Sequence, residues 1–290
     1  MQPTLCDTFR SRALWTWDTL ARGRSVGCQI GEETLTDLNV LEFKIRHSSE
    51  VYTRTFSKPE EGINGADWEW WFTGSSNQWI GFRVQAKVID IRTDSFQHLH
   101  YHKIDKNKNK QYQCDALIQN ALQKRPLRIP LYCLYSNWRA LNQFPWRCAT
   151  YNPVQESYGC SILSAFSVRY LRSLKSSQKP HFKDLISYVS PWHCLACCHG
   201  YSKGDLPNRA FRYWRESILS LEEEIHEELP LNIRRELDIE LADYRGIYRQ
   251  INLTDAPPPY VISLLNNALE EQPDPDLRTL TVFRERNEIT

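Results

Sequence analysis

The chain lacks the short motifs on which several large enzyme classes depend. It has no GxxxxGKS/T loop to cradle phosphates, no GxGxxG run after a strand and no GxSxG elbow. ATP-driven, dinucleotide-redox and serine-hydrolase chemistries are therefore without support. No apolar run approaches the roughly 20 residues that a membrane-spanning helix needs. The opening MQPTLCDTFRSRALWTWDTL lacks the basic-then-apolar layout of a signal peptide. Charge of one sign is scarce as well: 36 Lys and Arg stand against 35 Asp and Glu, so the global balance announces no nucleic-acid partner. The nine cysteines are odd in number and carry no framework spacing. That fits a reducing interior better than a secreted scaffold and points to the cytoplasm, with no membrane partner.

What is present suits a folded globule. Hydrophobic residues make up 41% of 290 residues and aromatics 12%, enough for one large α/β domain or a core with a substantial extension. Helices are expected over 4–22 and 32–46, the second with Glu32 and Glu33 in its first turn, where the helix dipole favours carboxylates. VYTRTF (51–56) reads as a strand and KPEEGING (58–65) as a loop. A helix near 109–124 leads to the strand LYCLYS (131–136), and residues 159–175 form an amphipathic helix candidate. The order of helices and strands through residue 175 implies an α/β layer structure around a mixed sheet. After SSQKP (176–180) the pattern turns helical, over 181–190, 208–229, 232–247 and 259–271. The chain is accordingly divided into a core, 1–175, and a mainly helical C-terminal region, 176–290, which could pack as one domain with it.

The most informative stretch is GADWEWWFTGSSNQWIGFRVQAK (65–87). Positions two apart on a strand share a face. Asp67, Glu69 and Trp71 therefore point one way, and Trp68, Trp70 and Phe72 the other. On the second run Arg83, Gln85 and Lys87 oppose Phe82, Val84 and Ala86. TGSSNQ between them reads as a hairpin loop. With the turn near Ser76, Asp67 lies across from Gln85 and Glu69 across from Arg83. A carboxylate, an amide oxygen and a lysine then converge, a set suited to metal-assisted phosphodiester chemistry. The plainer alternative is the solvated side of an amphipathic hairpin.

The sequence of elements, a helix with an early Glu, a strand, a hairpin with Asp and QxK, a helix and a strand, resembles the PD-(D/E)xK nuclease superfamily. The Gln variant is similar to the Mrr-type restriction endonucleases and to an uncharacterised bacterial family of such proteins. The resemblance covers about residues 31–136 and is sharp only at Asp67, Gln85 and Lys87. It implies a restriction-endonuclease-like core that cleaves DNA with Mg²⁺ or Mn²⁺. Asp67, Gln85 and Glu33 would ligate the ion, the Ala86 carbonyl would join them, and Lys87 would orient the attacking water. Glu69, on the face of Asp67, rivals Glu33 as the second acid. Ala66 stands where the motif has its Pro. A role in defence against foreign DNA, alone, as a homodimer or with a partner protein, follows from the restriction-type relatives by analogy. The competing class is a catalytically inactive module that binds nucleic acid or protein.

Three further signals are secondary. The basic run YHKIDKNKNKQYQ (101–113) offers Lys103, Lys106, Lys108 and Lys110 to a phosphate backbone, and Gln113 could face the site. The alternation His98, His100, His102 could line one strand face. In HCLACCH (193–199) the pair Cys194 and Cys197 is half of a structural zinc site, for which Cys160 or His181 is the further ligand to be supplied by the fold.

Overall fold

Helix α1 (Leu5–Ser25) begins at a capping box: the Thr4 hydroxyl accepts from the Asp7 amide, and the Asp7 carboxylate accepts from the Thr4 amide. Two of the amides that a helix start leaves unpaired are thereby satisfied. In the computed structural model, which describes residues 3–56, 68–104, 110–139, 148, 150–152, 154–173, 180–197, 204–268, 273 and 277–286, α1 is followed by α2 (Glu32–Arg46) and β1 (Val51–Thr55). The hairpin comes next, as β2 (Trp68–Thr73) and β3 (Trp79–Val88), joined by a turn in which Asn77 takes a left-handed φ of 58°.

The basic segment does not open a helix at 109. It forms a small antiparallel ribbon, β4 (His102–Ile104) with β5 (Lys110–Tyr112), and only then enters α3 (Gln113–Gln123). Strand β6 (Arg128–Tyr135) follows. Residues 159–175 are likewise not one helix: β7 (Cys160–Ser164) precedes α4 (Ala165–Ser173). The five residues of β7 are buried throughout, and a short run without exposed positions gives no period by which strand and helix are told apart. Short α5 (Phe182–Leu185), β8 (Ser190–Pro191) and α6 (Cys194–Cys197) lead to α7 (Leu206–Tyr213), α8 (Ser220–Glu228), α9 (Leu231–Arg249) and α10 (Pro259–Leu265).

The last element among the described residues is a strand. β9 (Thr279–Arg284) inserts between β1 and β2, giving a seven-stranded mixed sheet in the order β1-β9-β2-β3-β6-β7-β8. β9 runs antiparallel to β1 and parallel to β2, and β3 runs parallel to β6. The C-terminal region, expected to be mainly helical, thus also supplies an inner strand of the sheet that the N-terminal half builds. Every backbone group of β9 that pairs with β1 and β2 ties the two halves together.

The two faces of the sheet differ. On one, Phe72 and Phe283 meet Phe9 of α1 and Phe43 of α2, with ring centroids between 5.2 and 6.1 Å apart. Trp192 packs edge-on against Phe9 at 5.1 Å and donates to the Phe9 carbonyl at 2.6 Å. On the other, Trp71, Leu280 and Val282 pack with Val261 and Leu264 of α10. Among the described residues, no helix is long and apolar enough to cross a membrane.

Candidate active site

The hairpin adopts the expected register: Trp68 pairs with Val84 and Glu69 with Arg83. Alternation puts Glu69, Trp71, Arg83, Gln85 and Lys87 on one face, and Gly81 leaves room for Trp71, whose ring atoms lie 2.7–3.0 Å from where a Cβ would stand. This face is not solvated. Glu69 is 0% exposed, Arg83 and Gln85 1%, and Lys87 6%. A solvated hairpin would leave these groups in water, so the plainer alternative is set aside. Buried charge at this density requires partners.

The partners divide the face into two regions. At the near end, Glu69 accepts from Arg83 at 2.7 Å, from Trp71 Nε1 at 2.6 Å and from Tyr260 at 2.6 Å, with Arg128 Nε 3.3 Å away. Burial alone would raise its carboxyl pKa, but Arg128, Arg83 and the two neutral donors outweigh it and hold the group below the ordinary carboxylate range. Glu69 is therefore engaged in fastening β2, β3, β6 and α10 together. Its carboxylate, offered as the rival acid, has Arg83, Arg128, Trp71 and Tyr260 around it.

At the far end stand Gln85 and Lys87. Gln85 Oε1 accepts from Gln113 Nε2 at 2.9 Å, and Gln85 Nε2 donates to the Ala86 carbonyl at 3.1 Å. Gln113, at the start of α3, thus meets Gln85 directly. Lys87 Nζ lies 3.7 Å from Glu32 Oε1. The α2 carboxylate that meets Lys87 is thus that of Glu32. Glu33 lies on the exposed side of α2, where Arg278 Nη1 stands 3.3 Å from its carboxylate and Arg278 Nη2 reaches Asp37 at 2.6 Å. Spacing does not separate the two acids, since both stand one turn before buried Thr36; in the fold Glu32 is half-buried and Glu33 exposed. Asp67 lies outside the described residues.

As a donor set for a hard cation, the described groups comprise the Glu32 carboxylate, the Gln85 amide oxygen and the Ala86 carbonyl. All are oxygens of the kind Mg²⁺ prefers, and they fit such an ion in kind, with Asp67 the further carboxylate the sequence supplies. Among the described residues, no group of three acidic side chains converges there.

The flanking signals are placed as follows. Lys110 is exposed on β5, Lys103 lies on β4 opposite Gln111, and Lys106 and Lys108 fall outside the described residues. Tyr112 is covered by the guanidinium of Arg172, 3.7 Å from its ring centre, which docks the ribbon on α4. The three histidines do not converge. His98 is exposed, His102 packs against Tyr112 at 5.2 Å, and burial with the nearby Arg172 pushes His100 down to about 4. His100 is thus neutral at pH 7 and adds no cation to the ribbon.

A family profile matches residues 5–289, a span that includes this face. The chain belongs to DUF6615, a family of unknown function. The matched span runs from the first residue of α1 past β9, so the DUF6615 unit includes the whole seven-stranded sheet. No curated protein and no solved structure matches the chain.

The zinc half-site is rearranged. Cys197 is joined to Cys6 in a disulfide, a departure from the expectation of unpaired thiols. Cys160 lies 3.2 Å from Thr16 Oγ1 under α1, and His181 is exposed at a bridge to Ser95. Neither joins Cys194. Instead Cys148 and His193 approach it, a juxtaposition across 45 residues of chain that no spacing rule anticipates.

Proposed function

We propose that this DUF6615 chain is a divalent-metal-dependent nuclease with a restriction-endonuclease-like core, hydrolysing DNA phosphodiester bonds with Mg²⁺ or Mn²⁺. The observation that carries the reading is the buried pair Gln85 and Lys87 on one face of β3, with the Glu32 carboxylate 3.7 Å from the ammonium. A lysine removed from water beside an amide oxygen and a carboxylate is costly unless the site uses it. The order α2, β1, β2, β3, α3, β6, with β3 parallel to β6, supports the same reading.

In this proposal Asp67, Gln85 and Glu32 hold the ion, which when bound polarises a phosphoryl oxygen and acidifies a bound water. Lys87 orients the attacking water and offsets charge on the scissile phosphate. Gln113 fixes the rotamer of Gln85, and Lys103 and Lys110 of the ribbon neutralise backbone phosphates, as would Lys106 and Lys108 of the same basic run. A cytoplasmic setting and a role in defence, as a homodimer or with a partner protein, belong to the same proposal by analogy.

One observation favours a second reading, a non-catalytic nucleic-acid- or protein-binding module: Gln85 Oε1 is already taken by Gln113. Incubation with plasmid and linear DNA and with RNA, in Mg²⁺, Mn²⁺ or chelator, separates the two. Metal-dependent DNA cleavage that falls by at least about a hundredfold in Lys87→Ala and in Asp67→Ala is expected. Cleavage that survives both substitutions overturns the site. DNA or RNA binding without cleavage establishes the second reading.

A further inference from the structure

A separate cluster lies away from the hairpin, around His193 on the turn into α6. His193 is fully buried, and among the described residues neither ring nitrogen has a hydrogen-bond partner. Each such unmet group costs about 1–3 kcal/mol, so hydrogen bonding does not account for an imidazole in this position. Its ligand atom and the sulfurs of Cys148 and Cys194 all lie within 4.8 Å of one another, and all three residues are buried.

The approach of Cys148 is fixed by its neighbours. Thr150 Oγ1 donates to the Cys197 carbonyl at 2.7 Å, and the Tyr151 ring packs edge-on against His193 at 5.6 Å. From the other side, Arg209 Nε donates to the Ala196 carbonyl at 2.9 Å. Cys197 follows Cys194 by three residues on α6, where side chains so spaced share a face.

We propose that Cys148, His193 and Cys194 form a Zn²⁺ site, with Cys197 as its fourth ligand once the Cys6–Cys197 disulfide is reduced. Three thiolates and an imidazole suit a borderline-soft ion in tetrahedral geometry, and two of the thiolates have CxxC spacing. The set contains no carboxylate, so it is distinct in kind from the hard-oxygen face of β3. Burial of all three residues favours a closed structural site over one that keeps a position open to water.

The disulfide and the four-coordinate metal are alternative states of one sulfur. A dithiol thiolate attacks one sulfur of the Cys6–Cys197 pair and the S–S bond breaks. The second thiol of the reductant resolves the mixed disulfide, leaving as a cyclic disulfide. Two electrons and two protons pass to Cys6 and Cys197. Binding of Zn²⁺ then releases the thiol protons of Cys148, Cys194 and Cys197 to solvent, and His193 binds as neutral imidazole. In one state α6 is stapled to α1 through Cys6, and in the other to the segment that carries Cys148.

The test uses the full chain reduced with dithiothreitol, desalted without oxygen and equilibrated with Zn²⁺ or Co²⁺. The expected result is about one zinc per chain, with thiolate-to-cobalt charge transfer and the visible bands of a tetrahedral ion. Diamide oxidation should release the metal. Cys148→Ser, His193→Asn and Cys194→Ser should each lower occupancy at least about tenfold at limiting zinc, in the range seen when a metal site loses a supporting group. Occupancy below about 0.1 per chain in the reduced protein, or occupancy unchanged by Cys148→Ser, overturns the site. Metal retained after oxidation overturns the role of Cys197. Should a serine variant fail to fold, the cobalt spectrum of the unaltered chain, reduced against oxidised, decides alone.

Discussion

Replacing Glu69 by Gln is the sharpest perturbation of the fold, because one carboxylate answers two buried guanidiniums. Arg83 stands 2.7 Å from it and Arg128 3.3 Å, both 1% exposed, while Tyr260 and Trp71 complete its acceptor positions at 2.6 Å. The substitution preserves volume but removes the carboxylate charge that both buried arginines share. Breaking a buried pair in this way costs about 3–5 kcal/mol. Over 290 residues the entropy of unfolding is about 0.6 kcal/mol/K, so the melting temperature should fall by about 5–8 °C. The pH dependence gives an independent check. The folded carboxyl is held below its ordinary value of 4.5, so its stabilisation is present above that pH and is lost as pH falls through the folded value. Differential scanning calorimetry from pH 3 to 7 should show the difference between wild type and Glu69→Gln shrinking toward acid. A fall of less than about 2 °C at neutral pH, or a difference that does not shrink in acid, refutes the account of Glu69 as the fastening charge.

Three other outcomes are expected. In the cleavage assay, Glu32→Gln should lower activity at least about tenfold while Glu33→Gln leaves it within about twofold, in line with a supporting metal ligand against a surface acid; equal effects would remove Glu32 from the site. Gly159→Ala should destabilise by about 3 kcal/mol or more, since overpacking has no outlet there: the new Cβ would stand 2.0 Å from the Ala13 carbonyl oxygen and 2.7 Å from the Trp17 amide of α1. An unchanged urea midpoint would contradict the close approach. Glu222, which accepts from Tyr248 at 2.9 Å, is pushed up to about 8 by burial. A raised carboxyl pKa means that the folded state holds the proton longer, so stability falls as pH rises from about 4.5 toward 8. Glu222→Gln should therefore gain on the wild type in urea midpoints between pH 5 and pH 9, and parallel midpoints would refute it.

Much of the hairpin was legible because its information is local. A period of two over Trp68–Phe72 and Arg83–Lys87 assigns each side chain to a face, and the turn residues set the register that pairs Glu69 with Arg83. The limits of α2 were equally readable from its first-turn acids and apolar spacing. β7 was misread because a wholly buried run has no period, and β5 because a polar strand resembles the start of the helix it precedes. The choice between Glu32 and Glu33 was not readable, because both precede buried Thr36 by one turn, and it is the tertiary contact with Lys87 that distinguishes Glu32.

The sequence alone determined the α/β class, the faces of the hairpin and the identity of the side chains brought to β3. Tertiary structure decided whether that face was wet or dry, because burial depends on the helices, α3 and α10 among them, that pack on it. It also decided that Glu69 is committed to Arg83 and Arg128, that β9 returns from the C-terminal end to lie between β1 and β2, and that Cys148 reaches His193 and Cys194. Each of these joins residues far apart in the chain, and spacing rules extend only as far as a single strand, helix or turn.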